Sequence, residues 1–193
     1  EAFESQAAGN GALNIVPEPD GIVRRIPLLF NLNGELFPSA SVEAVRLVGK
    51  PPALAVKTAG ASGETSFGAA SGIVAIKSGS TRVQTTSDGQ LYIHYTMSDA
   101  RRRIPAWRVL SGDFDPALLK GAIVYVGTGA AGLKDIRSTP LEAAIPGVEI
   151  QVQAVEQMLL GHTLARPDFA PGAELAYSFV LGLLIVFLVR WLD

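Results

Sequence analysis

The chain has 193 residues, of which 48% are hydrophobic and 18% are charged, and its mean hydropathy is +0.30. This length suffices for one domain with a sizeable core, and the composition is more apolar than that of an average soluble domain. A formal net charge of −2 does not favour nucleic-acid binding. The absence of cysteine excludes disulfides, thiolate metal sites and cysteine nucleophiles.

Two short strands and a hairpin turn are predicted near the N-terminus. Residues 11–16 alternate between apolar and polar side chains, and residues 22–30 form the second predicted strand. One face of that strand would carry Arg24, Ile26, Leu28 and Phe30. The pair Asn33-Gly34 that follows is typical of a two-residue hairpin turn, after which Leu36 and Phe37 would return the chain.

A helix is predicted after this hairpin. Pro38 and Ser39 supply a helix start, and the helical pattern extends to about residue 48. Val42 and Val45 are expected to face the core, with Leu47 as a further candidate.

The middle of the chain predicts a polar excursion followed by short strands and helices. Residues 50–72 are rich in Gly, Ala, Ser and Pro and predict a surface segment. The predicted strands are 73–77, 82–86 and 90–95, with a turn at Asp88-Gly89, and the predicted short helices are 107–110 and 116–119. The expected fold class is therefore α/β, in the broad sense of mixed α+β, with a central mixed sheet and flanking helices.

Residues 121–161 predict a βα unit. Residues 123–126 are apolar and β-branched or aromatic, which predicts a buried strand, and a glycine-rich loop follows them. Pro140 and Pro146 interrupt the next segment, and a helix is predicted from about 148 to 160 with Gly161 as its stop. The loop that leaves the strand of such a unit is the usual place for a binding site.

The C-terminal segment predicts a membrane span. Residues 175–189 contain no charged side chain, and Tyr177 and Trp191 suit the two bilayer interfaces. The N-terminal residues have neither the basic nor the apolar region of a signal peptide, so the chain is expected to be a piece of a longer protein. The predicted organisation is a globular domain at 1–165, a linker at 166–172 and the start of a transmembrane region at 173–193.

Two candidate chemistries are weighed against simpler interpretations. Gly127, Gly129 and Gly132 spell the dinucleotide-binding pattern G-x-G-x-x-G, which would make the chain a nucleotide-cofactor enzyme. That pattern requires a helix that opens at the loop, and the two prolines behind it favour a tight turn instead. His94 and His162 are far apart in sequence, and neither has a second ligand at metal spacing.

The charged clusters are expected to have structural roles. Arg101, Arg102 and Arg103, with Arg108 close behind, predict a solvated turn or the lip of an anionic-ligand site. Asp20, Arg24 and Arg25 are expected to pair with one another or with Asp135 and Glu149, because ions in a buried setting need partners.

Two segments together resemble a known family. The first, D-G-x-x-R-R, consists of Asp20, Gly21, Arg24 and Arg25. The second, V-G-…-G-L-x-D-…-T-P-…-P-G-V-E, includes Gly127, Gly132, Asp135, Thr139, Pro140, Pro146, Gly147 and Glu149. With these motifs in order and an apolar span behind them, the chain from about residue 9 to residue 163 resembles the type-2 CHASE domain. The family's N-terminal third is absent from the match, and Gln151 stands where family members often carry a histidine.

The resemblance implies an extracytoplasmic sensory module of bacterial signalling receptors, with no catalysis and no cofactor of its own. In such receptors the output is a nucleotide cyclase, a histidine kinase or a Ser/Thr kinase. The implied partners are an unknown small ligand or periplasmic signal, the membrane and a second copy in a homodimer, with no nucleic acid. A purely structural dimerisation module is the further alternative. The ligand-binding residues that the resemblance implies are Asp20, Arg24, Arg25, Gly127, Gly129, Gly132, Asp135, Thr139 and Glu149.

Overall fold

The computed structural model describes residues 6–49, 53–63, 72–129, 135–167 and 169–192. Its helices are α1 (Ala40–Gly49), α2 (Ala106–Ser111), α3 (Gly147–Leu160) and α4 (Ala170–Leu192), with short 3-10 turns at Ala100–Arg102 and Pro116–Leu118. Its strands are β1 (Arg25–Pro27), β2 (Leu29–Leu32), β3 (Glu35–Pro38), β4 (Ala55–Thr58), β5 (Ile73–Ser78), β6 (Thr81–Gln84), β7 (Gln90–Tyr92), β8 (Ile136–Arg137) and β9 (Ile145–Pro146).

The strands form small antiparallel sheets, which pair as β1-β7, β2-β3, β4-β5-β6 and β8-β9. Parallel pairing is present as isolated bridges, such as Ala12 to Ser39 and Ile22 to Ser138. The predicted mixture of helices and strands is thereby confirmed, with the strands divided among several small sheets. The predicted strand at 11–16 is reduced to the single bridge at Ala12.

The predicted hairpin is confirmed, and the strand before it is divided in two. Leu32 pairs with Glu35 across the turn, and both central residues have positive φ, 54° for Asn33 and 92° for Gly34, as a type I′ turn requires. The predicted strand 22–30 separates at Leu28, whose N–H donates to the carbonyl of Gly89 at 3.1 Å. The chain therefore pairs with β7 before Leu28 and with β3 after it.

The strand β4 lies inside the segment predicted to be a surface excursion. It pairs antiparallel with β5, from Ala55 opposite Lys77 to Thr58 opposite Ile73. Four residues with little apolar content give no periodic signal, and the pairing is instead imposed by the neighbouring strand. The segment was predicted as a surface excursion with no strand in it, so β4 is an element that the sequence did not predict.

Helix α1 confirms the predicted inward face except at Leu47. The Ser39 hydroxyl accepts a hydrogen bond from the Val42 N–H at 3.3 Å, which caps the helix, and Val42 and Val45 are buried. Leu47 is 38% exposed. Two residues beyond Val45, it is rotated about 200° around the axis and points away from the core.

Helix α3 supplies one wall of the core. Ile150, Ala154 and Met158 are buried on one face and belong to the hydrophobic cluster that includes Val42 and Val45 of α1. The helix ends at Gly161, which adopts the left-handed conformation with φ 71° and confirms the predicted stop.

The predicted buried strand at 123–126 is wrong in two respects. The described part of the chain contains no strand that pairs with it, and only alternate side chains face inward. Ile123 and Tyr125 pack against the core, whereas Val124 is 53% and Val126 is 90% exposed. The Tyr125 hydroxyl donates to the carbonyl of Ala40 at 3.1 Å, which attaches the segment to the start of α1.

The two core-facing tyrosines should respond oppositely to loss of their hydroxyls. Burial raises the pKa of both phenols, that of Tyr125 to about 12, but the buried Tyr95 hydroxyl has no partner among the described residues. Tyr125→Phe should cost about 0.5–1.5 kcal/mol of unfolding free energy, the value of one hydrogen bond. Tyr95→Phe should be neutral or stabilising, because it removes a buried polar group that is unpaired. Thermal unfolding of both variants checks this, and equal destabilisation would contradict it.

Helix α4 is the candidate membrane span. Its 23 residues rise about 34 Å, enough for a hydrocarbon core of about 30 Å. It is apolar enough to cross a bilayer by length and composition, and none of its residues is buried against the rest of the chain. The helix extends beyond the uncharged run 175–189 at both ends, and Glu174 in its second turn pairs at 2.6 Å with Arg166, which precedes the helix.

Candidate functional site

The D-G-x-x-R-R segment forms a compact ion-pair network at the surface. Arg24 donates to Glu18 at 2.6 Å and to Asp20 at 2.8 Å, and Arg25 donates to Glu18 at 3.0 Å. The Arg25 guanidinium also lies 5.6 Å from the centre of the Tyr92 ring. The hydrogen bonds from Arg24 lower the pKa of both Glu18 and Asp20, and the two carboxylates raise the pKa of Arg24.

Sequence reasoning predicted part of this network. Pairing between Asp20 and Arg24 is confirmed, whereas neither arginine pairs with Asp135 or Glu149 in the described part of the chain. Glu18, the central acceptor, was missed, because it stands outside the family motif among turn residues. Its carboxylate accepts from both arginines and fixes them relative to each other.

The second motif lies directly beside the first. The Val23 N–H donates to the carbonyl of Ser138 at 2.8 Å, next to the parallel bridge between Ile22 and Ser138. The adjacent Thr139 is buried and closes a tight turn, in which its hydroxyl accepts from the Glu142 N–H at 3.1 Å. The fold therefore places two segments that are distant in sequence side by side. Thr139 stabilises the turn that follows Ser138, the residue that bonds to the first segment.

Asp135 lies at the N-terminal end of α3. The Gly147 N–H donates to its backbone carbonyl at 2.7 Å, and a Cβ placed on Gly147 would come within 3.0 Å of the Asp135 Cγ. Glycine at the first position of the helix therefore leaves room for the carboxylate. A negative charge there is favoured by the helix dipole, and Arg137 lies 3.8 Å from the same carboxylate.

The glycine-rich loop packs on the start of the same helix. A Cβ on Gly127 would lie 2.6 Å from the Cβ of Val148, and one on Gly129 would lie 3.4 Å from Pro146. Gly132 lies outside the described residues. The loop does not itself open the helix, and the carboxylate of Asp135 lies where a dinucleotide pyrophosphate would need the helix amides. Close packing against Val148 explains Gly127, whereas a Cβ at Gly129 would make only an ordinary contact.

The arginine-rich segment is attached to α3 by ion pairs. Arg103 pairs with Glu149, and Arg102 pairs with Glu156 at 3.0 Å. Arg101 instead pairs with Asp99 at 2.7 Å, and its hydrogen bond lowers the pKa of Asp99 to about 2. Glu149 is therefore engaged by Arg103 and not by the first motif's network, and Arg102 and Arg103 make a structural contact with α3.

Sequence reasoning also missed two buried glutamines, which we call the glutamine clamp, Gln153 and Gln157. Gln157 accepts from the His94 N–H at 2.9 Å and donates to the Tyr92 carbonyl at 2.8 Å. Gln153 accepts from the Thr96 N–H at 3.0 Å and donates to the Thr96 carbonyl at 3.2 Å. The clamp satisfies backbone groups that would otherwise need a neighbouring strand. Two glutamines four residues apart on an otherwise apolar helix face are the available signal.

The candidate site residues therefore fall into separate groups. Asp135, Gly127 and Gly129 gather at the start of α3, while Asp20, Arg24 and Arg25 form the adjacent surface network and Glu149 is drawn toward Arg103. The cavity between α1, the β5-β6 hairpin and Met158 measures about 10 Å³, the size of one water molecule, and is too small for an organic ligand. The entrance to α3 is the place where Gly127, Gly129 and Asp135 converge.

These features describe a small mixed α/β domain in which Gly127, Gly129 and Asp135 lie at the start of α3. The chain continues beyond this domain into an apolar helix long enough to span a membrane. The sequence profile of the CHASE2 domain matches residues 2–189, and the chain belongs to the CHASE2 domain family. This is a family of extracellular, non-catalytic sensory domains, so the chain is a sensing module. No curated protein and no solved structure matches the chain.

Proposed function

We propose that this domain senses an extracytoplasmic signal within a bacterial transmembrane receptor. In this proposal it couples that signal to a cyclase or kinase output elsewhere in the receptor. The supporting observation is the position of α3: Gly127, Gly129 and Asp135 gather at its N-terminal end, and the chain beyond its C-terminal end continues into α4. Helix α3 thus lies between these motif residues and the candidate membrane span.

The signal is proposed to act at the start of α3. The loop at Gly127 and Gly129 and the carboxylate of Asp135 both contact this end, so a small ligand or a periplasmic protein that displaced either would alter the helix N-terminus. A ligand can shift the receptor only if it binds the two signalling states with different affinity. Two copies in a homodimer would bring two such helices together, which gives the output domain a symmetric input.

The proposed extracytoplasmic placement of the domain is supported by the family, whose members are extracellular sensory domains. In this orientation Arg190 lies toward the cytoplasmic end of α4, where positive charge is favoured.

Cysteine labelling tests this orientation, because the chain has no cysteine of its own. In the full receptor Ser111→Cys places a thiol on the exposed surface of the domain, and Leu192→Cys places one beyond Arg190. A membrane-impermeant maleimide should label the first variant in intact spheroplasts and the second only after permeabilisation. The reverse pattern would exclude an extracytoplasmic domain.

Substitution of Asp135 and Thr139 by alanine in the full receptor tests the site. We expect altered basal or stimulated output at unchanged receptor abundance, since Asp135 lies at the start of α3 and Thr139 supports the same segment. Asp113→Ala is the matched control, because it removes an exposed carboxylate that pairs with Arg108 far from α3. Unchanged output in the Asp135 and Thr139 variants would remove this end of α3 as the point where the signal acts.

A further inference from the structure

The two histidines of the chain, far apart in sequence, are neighbours in the fold. Tyr92 and Leu164 form an antiparallel bridge, and continuing that register by two residues places His94 opposite His162. Their ring centroids are 6.0 Å apart with an interplanar angle of 61°. Both side chains are exposed, so the space around the two rings is open to solvent.

This separation suits a shared metal ion. Imidazole nitrogens bind Zn²⁺ at about 2.0–2.1 Å, so two rings on one ion have their centroids about 5–6 Å apart. The observed 6.0 Å lies at the upper end of that range, and exposed side chains close a difference of a few tenths of an ångström by small rotations. Cross-strand neighbours in an antiparallel pair are the residues whose side chains lie closest across the strands.

The backbone on both sides of the pair is fixed by one residue. The His94 N–H donates to the side-chain oxygen of Gln157 at 2.9 Å, and the His162 N–H donates to the main-chain carbonyl of Gln157 at 3.1 Å. Both histidines are thereby held to the last turn of α3, which pre-positions two ligands on separate segments of the chain. Pre-positioned ligands bind more tightly because less conformational freedom is lost on binding.

We propose that His94 and His162 form a two-imidazole site for a divalent transition metal ion, namely Zn²⁺, Cu²⁺ or Ni²⁺. Imidazole suits these ions, whereas Mg²⁺ and Ca²⁺ prefer oxygen ligands. Within the described residues no group of three or more His, Asp and Glu side chains is gathered at metal distance. The remaining coordination positions therefore belong to water or to a ligand from another molecule, and Cu²⁺ should bind most tightly of the three.

The site joins two segments that lead to different parts of the molecule. His94 lies two residues after β7, and His162 lies just after α3, in the connector that leads to α4. A bound ion would link this connector to the strand and resist separation of the two. The inference concerns metal binding by the domain and does not rest on the proposed signalling function.

Metal titration of the untagged full chain in a detergent micelle tests the site. Calorimetry with Cu²⁺ and Zn²⁺ should show one saturable site per chain, and His94→Ala or His162→Ala should each weaken binding at least about tenfold, the loss typical when the support of a metal ligand is removed. Thr163→Ala, next to His162, is the matched control and should bind as the unmodified chain does.

Two measurements can overturn the proposal. Equal affinity of the unmodified chain and the double alanine variant would assign the metal to carboxylates. The second measurement is NMR of the imidazole resonances, which are easily assigned because the chain has only two histidines. Substoichiometric Zn²⁺ should shift or broaden the resonances of both rings together. A response from one ring alone would show that the pair does not share an ion.

Discussion

Replacing Gln157 by leucine should lower the free energy of unfolding by about 2–4 kcal/mol, because it leaves two backbone groups without partners. The buried amide accepts from the His94 N–H and donates to the Tyr92 carbonyl, and leucine can do neither. The extra apolar surface of leucine offsets only part of the cost, because an unpaired buried backbone group keeps its full desolvation penalty. Thermal unfolding in detergent measures the total effect.

Amide exchange locates the effect within the clamp. In Gln157→Leu the His94 N–H should lose protection from hydrogen exchange. The Thr96 N–H, which donates to the side chain of Gln153, should keep its protection. Glu156→Leu is the matched control on the adjacent, solvent-facing position, where the lost ion pair with Arg102 contributes about 0–1 kcal/mol. If Gln157→Leu cost no more than Glu156→Leu, the clamp would not hold the strand.

The second large effect is expected at Gly127. Alanine there would place its Cβ 2.6 Å from the Cβ of Val148 and 2.8 Å from both of its methyl groups. A branched side chain cannot swing away from such an overlap, so loop and helix must separate, at a cost of about 1–3 kcal/mol. Gly129→Ala is the control in the same loop, because its nearest neighbour, Pro146, would be at 3.4 Å.

A double-mutant cycle shows whether the overlap is the cause. Val148→Ala removes the methyl groups that the new Cβ would meet, so Gly127→Ala should cost much less in that background. Chemical denaturation of the four proteins gives the coupling energy. Additive effects would mean that the contact with Val148 is not the cause of the loss.

Local signals made several parts of the fold predictable. Asn33-Gly34 specifies its turn through φ alone, and Gly161 ends α3 by the same chemistry. The division of the strand at Leu28 and the pairing of β4 depend on partners from elsewhere in the chain, which no local pattern encodes. Val124 and Val126 are apolar although they are exposed. A run of apolar residues therefore predicted a strand buried on both faces, whereas only one face of this segment is buried.

The candidate site divides in the same way. The need of neighbouring opposite charges for partners predicted that Asp20 would pair with Arg24 or Arg25, or these arginines with Asp135 or Glu149. The structure shows the pair of Asp20 with Arg24. The roles of Gly127 and Gly147 could not be predicted, because both are set by what approaches them from another segment. Gln153 and Gln157 belong to a residue type that is common on exposed helix faces, and only their position on the buried face reveals their role. His94 and His162 have no sequence spacing that suggests a pair.

The clamp holds the C-terminal half of α3 to the segment that follows β7. Gln153 and Gln157 both bond to main-chain groups of that segment, so the half-helix and the segment are expected to move as one body. From Gln153 to the motif end at Gly147 is about 9 Å along the helix axis. The first turns of α3 are therefore the part of the helix that can shift without breaking the clamp.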